Sequence, residues 1–455
     1  MNRFSQKLVF AWAAAGTRYL PFADAATPDL PLPRLLRLSL FQISVGMAMV
    51  MLIGTLNRVM IVELKVPSAL VSIMVGLPLL FAPLRALIGF KSDNHRSALG
   101  WRRVPFIWMG TLLQFGGFAI MPFALLVLAG AGEAAQAPPW VGYIGAGVAF
   151  LLVGAGMHTT QTVGLALATD LAPIESQPKV VGLMYVMLLV GMIGSAFIYG
   201  ELLSDYSPGR LVQVIQGAAL VTMCLNVVAL WKQEARHSVR QSAPVADPSF
   251  RESWISFSKG GHAVRRLLVL GCGTAAFTME DVLLEPYGGE ILGLSVSATT
   301  TLTATLAFGG LIGFGWASRV LSRGADPFRM ASGGAWVGIP AFSAIIVSGY
   351  LQAPWLFASG TFLIGLGAGL FSHGTLTSTM NLAPKDQVGM ALGTWGAVQA
   401  TAAGLAMAFG GVLRDSVAKW SDSPTGYHTV YGLELLLLCV TIVIMLPLLG
   451  RKTKL

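Results

Sequence analysis

Charge is what this chain has least of. Of its 455 residues, 11% are Asp, Glu, Lys or Arg and 55% are hydrophobic, with only 21 acids in all. A soluble domain carries roughly 25% charged residues. A deficit of this size, spread along the whole chain, excludes a large soluble protein and predicts a polytopic membrane protein. Cysteine is scarce as well. Cys224, Cys272 and Cys439 each lie inside an apolar run and form no CxxC pair, so they support neither a disulfide framework nor a zinc site and read as core residues. The chain has no GxxxxGK[ST], no HExxH and no GxSxG, which leaves ATP-driven transport and hydrolysis without support. GLGAGLFSHG at 365–374 contains GxGxG, but no strand precedes it. Close helix packing through small residues accounts for that stretch better than a dinucleotide site.

What is present is long apolar segments. About 20 apolar residues in a helix cross the hydrocarbon core. Twelve such segments occur, at 35–62, 68–90, 104–130, 141–168, 179–203, 209–231, 264–286, 295–320, 329–350, 355–380, 386–412 and 428–450. The net charge of +9 does not point to nucleic acid, because the bases lie between these runs, where they set orientation. With the N-terminus in the cytoplasm, 24 of the 30 Lys and Arg fall on the cytoplasmic side. Both termini are therefore expected inside. Arg58 is placed at an outer end, and Arg85 is read as a buried charge able to snorkel or to pair with an acid such as Asp93. MNRFSQKLVFAWAAAG at the start reads as an interfacial helix, with Phe4, Leu8, Phe10 and Trp12 in lipid beside Arg3 and Lys7.

The stretch 232–263 is rich in Pro, Ser and charge and has no core of its own. It reads as a linker between an N-terminal half, 35–231, and a C-terminal half, 264–455, after an N-terminal segment 1–34. The halves repeat. LIGF at 87–90 recurs at 311–314, Pro105-Phe106 is answered by Pro327-Phe328, and GAG followed by LAP occurs at 154–156 and 171–173, then at 367–369 and 382–384. The offsets drift slowly, as 224, 222, 213 and 211, the pattern of a duplicated transporter fold. The expected fold is an all-α membrane protein, with twelve transmembrane helices in two pseudo-symmetric six-helix halves.

The loop GFKSDNHRSALGWRRVP, with Gly89, Asp93, Arg96, Arg102 and Arg103, resembles the inner-face loop of the major facilitator proteins, although its spacing is stretched and Ala317 replaces the Asp in the second half. Three phrases carry a closer match: TRYLPFADAATPDLPLPRLLRLSLFQISVGMAMVMLIGTLNRVMIVEL, RALIGFKSDNHRSALGWRRVPF and EDVLLEPYGGE. Together they resemble the PucC/LhaA family, major-facilitator-like proteins of phototrophic bacteria, over nearly the whole chain. That resemblance implies an assembly factor for light-harvesting antenna complexes in the cytoplasmic or intracytoplasmic photosynthetic membrane. It implies bacteriochlorophyll as cargo. It also implies antenna polypeptides, the reaction centre–antenna core complex and pigment-synthesis enzymes as partners. The mechanism would be binding rather than covalent chemistry. A proton-coupled solute transporter and a pigment-free membrane chaperone are the alternatives.

The acids raise the sharpest question. TMEDVLLEPYGGE at 278–290 holds Glu280, Asp281, Glu285 and Glu290, with no Lys or Arg between Arg266 and Arg319. Counting ~1.5 Å per residue from Arg266 puts Glu280 and Asp281 inside the hydrocarbon, where an ionised carboxylate costs at least ~2.5–3.5 kcal/mol. Three roles are open to this pair: holding a proton or cation, contacting a pigment, or pairing with a buried donor. Glu285 and Glu290 are expected at the outer interface, where Pro286 and Gly288-Gly289 end the helix. His158 and His373 occupy corresponding helices of the two halves beside HTTQT and SHGTLTST. A neutral imidazole is able to fill the axial site of a chlorin magnesium. The other reading is a histidine bonded between helices.

Overall fold

The computed structural model describes residues 27, 30–80, 88, 92, 100–130, 132–173, 176–234, 263–321, 323–382 and 388–449. Among these residues the regular structure is entirely helical. The helices are α1 (Leu32–Glu63), α2 (Ser68–Leu80), α3 (Val104–Leu128), α4 (Pro139–Leu171), α5 (Gln177–Leu202) and α6 (Pro208–Leu230). They continue with α7, in two pieces (Ala263–Thr278 and Leu284–Glu290), α8 (Val296–Leu321), α9 (Pro327–Leu351), α10 (Pro354–Leu382), α11 (Val388–Trp420) and α12 (Ser423–Met445). Eleven are long and apolar enough to cross a membrane. The twelfth expected span is α2, whose described part stops at Leu80. Large apolar side chains such as Phe123, Phe197, Phe308 and Val443 lie exposed on the flanks, as a lipid-facing surface requires.

Packing follows the repeat. In the first half α3 packs on α4 and α6, and α1 on α5 and α6. In the second half α9 packs on α10 and α12, and α7 on α11 and α12. The halves meet through α5 against α8 and α2 against α11. The glycines preserve the same symmetry. A methyl placed on Gly110 would stand 2.8 Å from the Gly156 carbonyl, and one on Gly334 would stand 2.5 Å from the Gly367 carbonyl. These two close crossings are related by the 224- and 211-residue offsets already visible in the sequence. Only a residue without Cβ lets the backbones approach so closely.

The loops 100–103 and 231–234, together with the ends of α4 and α8, lie on what we call the linker face. Residues 64–67, 203–207 and 291–295 lie on the opposite face. Two helices are set apart by burial. Within their most apolar stretches 83% of α1 and 61% of α7 is buried, against 39–50% for the other nine spans. These two central helices are also the irregular ones, and the candidate site is built on them.

Candidate functional site

Helix α7 breaks between Thr278 and Leu284, and Glu280–Val282 form a single tight turn. The cause is Pro286. Proline has no N–H to give the carbonyl four residues back, and its ring collides with that carbonyl. The carbonyl in question belongs to Val282. It accepts a 2.6 Å hydrogen bond from Asn57 Nδ2 of α1, in the other half of the molecule. Asn57 is itself buried. Helix α1 is also distorted there, with wide π-type turns over Val50–Leu56 and Val59–Glu63 on either side of Asn57 and Arg58. Such turns often mark functional positions in long helices.

The expectation that Pro286 and the glycines end the helix is therefore corrected. Pro286 breaks the helix before itself, and the chain resumes as helix through Gly288 and Gly289 to Glu290. That change moves Glu285. It was expected at the interface but is 3% exposed, accepts a hydrogen bond from the Thr303 hydroxyl, and packs against Gly54 of α1. Glu280 is 1% exposed, and among the described residues neither of its carboxyl oxygens has a hydrogen-bond donor. A third buried acid, Glu434 of α12, is 0% exposed, and its carboxyl oxygens also have no donor of full geometry. Sequence reasoning missed Glu434. The signal was available, since it is a lone acid in the apolar run YGLELLLL. Asp281 is half-buried.

Glu280 and Asp281 stand where two cavities meet. A small one of about 60 Å³ is lined by Met49, Ile53 and Gly54 of α1, with Glu285 and Thr303. It has room for a few waters. The larger, about 290 Å³, lies between the halves and extends past Phe314 and Ser372 toward Leu376, with Tyr185 of α5 and Trp395 and Gln399 of α11 in its wall. Most of its lining is apolar. On the opposite face the halves are bonded together. Arg58 donates to the Leu294 carbonyl at 3.1 Å, Thr55 and Thr300 hydroxyls lie 3.3 Å apart, and Asp415 accepts from the Ala69 amide at 2.7 Å and from Ser68. Arg58, read from the sequence at an outer end, is 3% exposed there and paired with Glu63 at 2.5 Å.

A model of the family described as PUCC protein matches residues 55–453. The chain belongs to that family. It is 65% identical over 437 residues to Protein PucC of Rhodovulum sulfidophilum, covering 95% of this chain and 96% of that protein. Against Protein PucC of Cereibacter sphaeroides it is 57% identical over 454 residues, 99% of this chain and 98% of that one. It is also 27% identical over 419 residues to the bacteriochlorophyll synthase 44.5 kDa chain of Rhodobacter capsulatus, covering 90% and 93% of the two chains. Among solved structures, the D-xylose-proton symporter superposes with a TM-score of 0.71 at 14% identity, over 90% of this chain and 96% of that one. That likeness shows the major facilitator fold.

In this PUCC-family chain the remaining expected residues are dispersed. Glu290 is at the end of α7, as expected. It pairs with Arg414 at 2.6 Å and accepts from the Tyr427 hydroxyl at 2.8 Å. His373 packs against Phe314 with ring centroids 4.3 Å apart and the rings tilted by 59°, while His158 is half-buried in α4. Neither histidine lines the central cavity. Among the described residues no group of three or more His, Cys, Asp or Glu is placed to hold a metal ion. Gly89, Asp93 and Arg96 of the inner-face loop, and Arg85, lie outside the described residues. Arg102 and Arg103 both pair with Asp170 at the end of α4, Arg103 at 3.0 Å, and Arg103 donates to Ser92 at 2.6 Å.

Proposed function

We propose that this protein is an assembly factor for bacterial light-harvesting antenna complexes, which binds bacteriochlorophyll and delivers it to antenna polypeptides in the photosynthetic membrane. One observation carries the reading. Likeness to Protein PucC and to the bacteriochlorophyll synthase 44.5 kDa chain runs over nine-tenths or more of the sequence, on a transporter-type bundle built to bind rather than to make bonds. The partners follow from it: antenna polypeptides, the reaction centre–antenna core, and the enzymes that supply pigment. Both termini and the linker face would lie in the cytoplasm, on the side where the bases concentrate. The central carboxyl groups then act on the relation between the halves and do not cradle the pigment. The cavity they line, about 290 Å³, is at the small end of ligand pockets, which run roughly 300–1,000 Å³.

That cavity gives a second reading its own support. A buried carboxyl group, Glu280, with no donor among the described residues and set at a helix break between the halves, suits a proton-coupled carrier of a small solute. Purification in mild detergent from a phototrophic host separates the two. Near-infrared pigment bands and antenna polypeptides travelling with the protein are expected. A colourless protein bound to antenna polypeptides would leave a pigment-free chaperone. A colourless protein without them, showing pH-dependent solute uptake in vesicles, would establish the carrier.

A further inference from the structure

A cavity larger than the central one lies elsewhere. It opens at the linker face of the first half, between the start of α3 and the end of α6, and measures about 880 Å³. Three of the chain's 11 tryptophans line it: Trp101, Trp108 and Trp231. Trp108 is 40% exposed and Trp231 61%. Lipid-interface tryptophans are common, but these three, from two separate stretches of chain, bound one recess together with aliphatic Val104, Val227 and Leu230. The recess is a built one. Asn226 of α6 donates to Thr111 of α3 at 3.0 Å and holds its two walls together. Lys232, in the left-handed region at φ 51°, turns the chain back so that Gln233 and Glu234 reach the neighbouring helices.

The recess carries two cations and one carboxylate. Glu234 spends its carboxylate on α3, accepting from the backbone amides of Arg102, Arg103 and Val104 at 2.8–3.1 Å. Among the described residues the Arg34 side chain bonds only to neutral Gln233, at its side-chain oxygen (3.1 Å) and its carbonyl (2.9 Å). Lys232 is exposed and has no acidic partner among the described residues. Two cations, neither paired directly with an acid among the described residues, therefore rim a pocket walled by indole rings, with the carboxylate of Glu234 turned to the α3 amides. Indoles favour flat π-systems through stacking and edge contacts, whereas acyl chains alone need only aliphatic walls. The cations favour carbonyl and carboxyl oxygens on the rim of such a ring.

We infer that this linker-face recess, not the central cavity, is the docking site for a planar tetrapyrrole, with Trp108 and Trp231 against the macrocycle and Arg34 and Lys232 toward its peripheral oxygens. The inference rests on the pigment-binding reading and specifies where that binding occurs. It also places the cargo at the membrane boundary, reachable by a membrane-embedded client without passage through the bundle.

The test uses the purified full chain in zwitterionic detergent, titrated with bacteriochlorophyll a and read by the circular dichroism induced in the near-infrared band. A Trp108→Leu, Trp231→Leu double variant is expected to bind at least about fivefold more weakly, and Lys232→Glu, an exposed change that spares the fold, about threefold more weakly. Trp355→Leu, an exposed tryptophan on the opposite face, should bind as wild type. Groove variants that bind normally while Glu280→Gln, Asp281→Asn loses the signal would move the site to the central cavity and leave the pigment-binding reading intact. A wild-type protein giving no induced signal would remove that reading and this one together. Displacement of the pigment by phosphatidylglycerol at equal concentration would make the recess a lipid-headgroup site and overturn its assignment to a tetrapyrrole.

Discussion

Helices α1 and α7 begin the two halves, occupy the same central place in each, and solve one problem in different ways. Both depart from regular helix at the level of the central cavity. Helix α1 stays continuous through π-type turns, and near them it places Asn57, Thr55 and one base, Arg58. Helix α7 is cut by Pro286 and places acids at the cut. The defect of one is repaired by the other, since the carbonyl freed by proline is taken by Asn57. The duplication preserved the packing frame, seen in the paired glycine crossings. The two copies then diverged into a donor side and an acceptor side. The polar seam between the halves is thus made from what the symmetry no longer matches.

The comparison is broken most severely at Asn57. Asn57→Leu leaves the Val282 carbonyl buried without a donor and should destabilise the protein by about 3 kcal/mol, read as a lowered unfolding midpoint in detergent. Next come the glycines of α1. A methyl on Gly46 would stand 2.6 Å from the Leu188 carbonyl and 2.8 Å from the Met192 amide, both backbone groups. A methyl on Gly54 meets the far end of the Glu285 side chain at 2.5 Å, which has the small cavity to move into. Gly46→Ala should cost about 2 kcal/mol and Gly54→Ala about 1 kcal/mol. Equal costs would mean that the regular and irregular parts of α1 are equally rigid.

A finer test restores the missing donor. Pro286→Ala gives residue 286 an N–H able to bond the Val282 carbonyl within α7. It should then make Asn57→Leu cheaper by about 1 kcal/mol in a double-mutant cycle. Additive effects would show that Asn57 does not serve the proline-freed carbonyl. The smallest effect is expected at the rim. Glu290→Gln removes a partly exposed ion pair with Arg414 and should change stability by less than about 1 kcal/mol, more at low salt than at high salt.

Much of this was legible in the sequence. The helices of the membrane bundle and the repeat follow from apolar length and spaced motifs, which are local properties. Glu280 was legible as buried because a count of residues from Arg266 places it. Glu285 was not, because its position depends on where Pro286 breaks α7, and that depends on a donor from α1. Arg58 was legible as lying at the end of its apolar run, but its partners, the Leu294 carbonyl and Glu63, were not. Glu434 was overlooked because one acid among leucines shifts average hydropathy very little.

The sequence by itself determined the membrane-spanning class, the two-half organisation and the family, because hydropathy, charge scarcity and exact phrases are written in chain order. Only the tertiary structure decided which buried polar groups meet. Asn57 and Val282 are 225 residues apart, Trp101 and Trp231 are 130 residues apart, and no periodicity links either pair. Their meeting is fixed by helices closing on glycine contacts, and by the cost of leaving a carbonyl unsatisfied where no water reaches it.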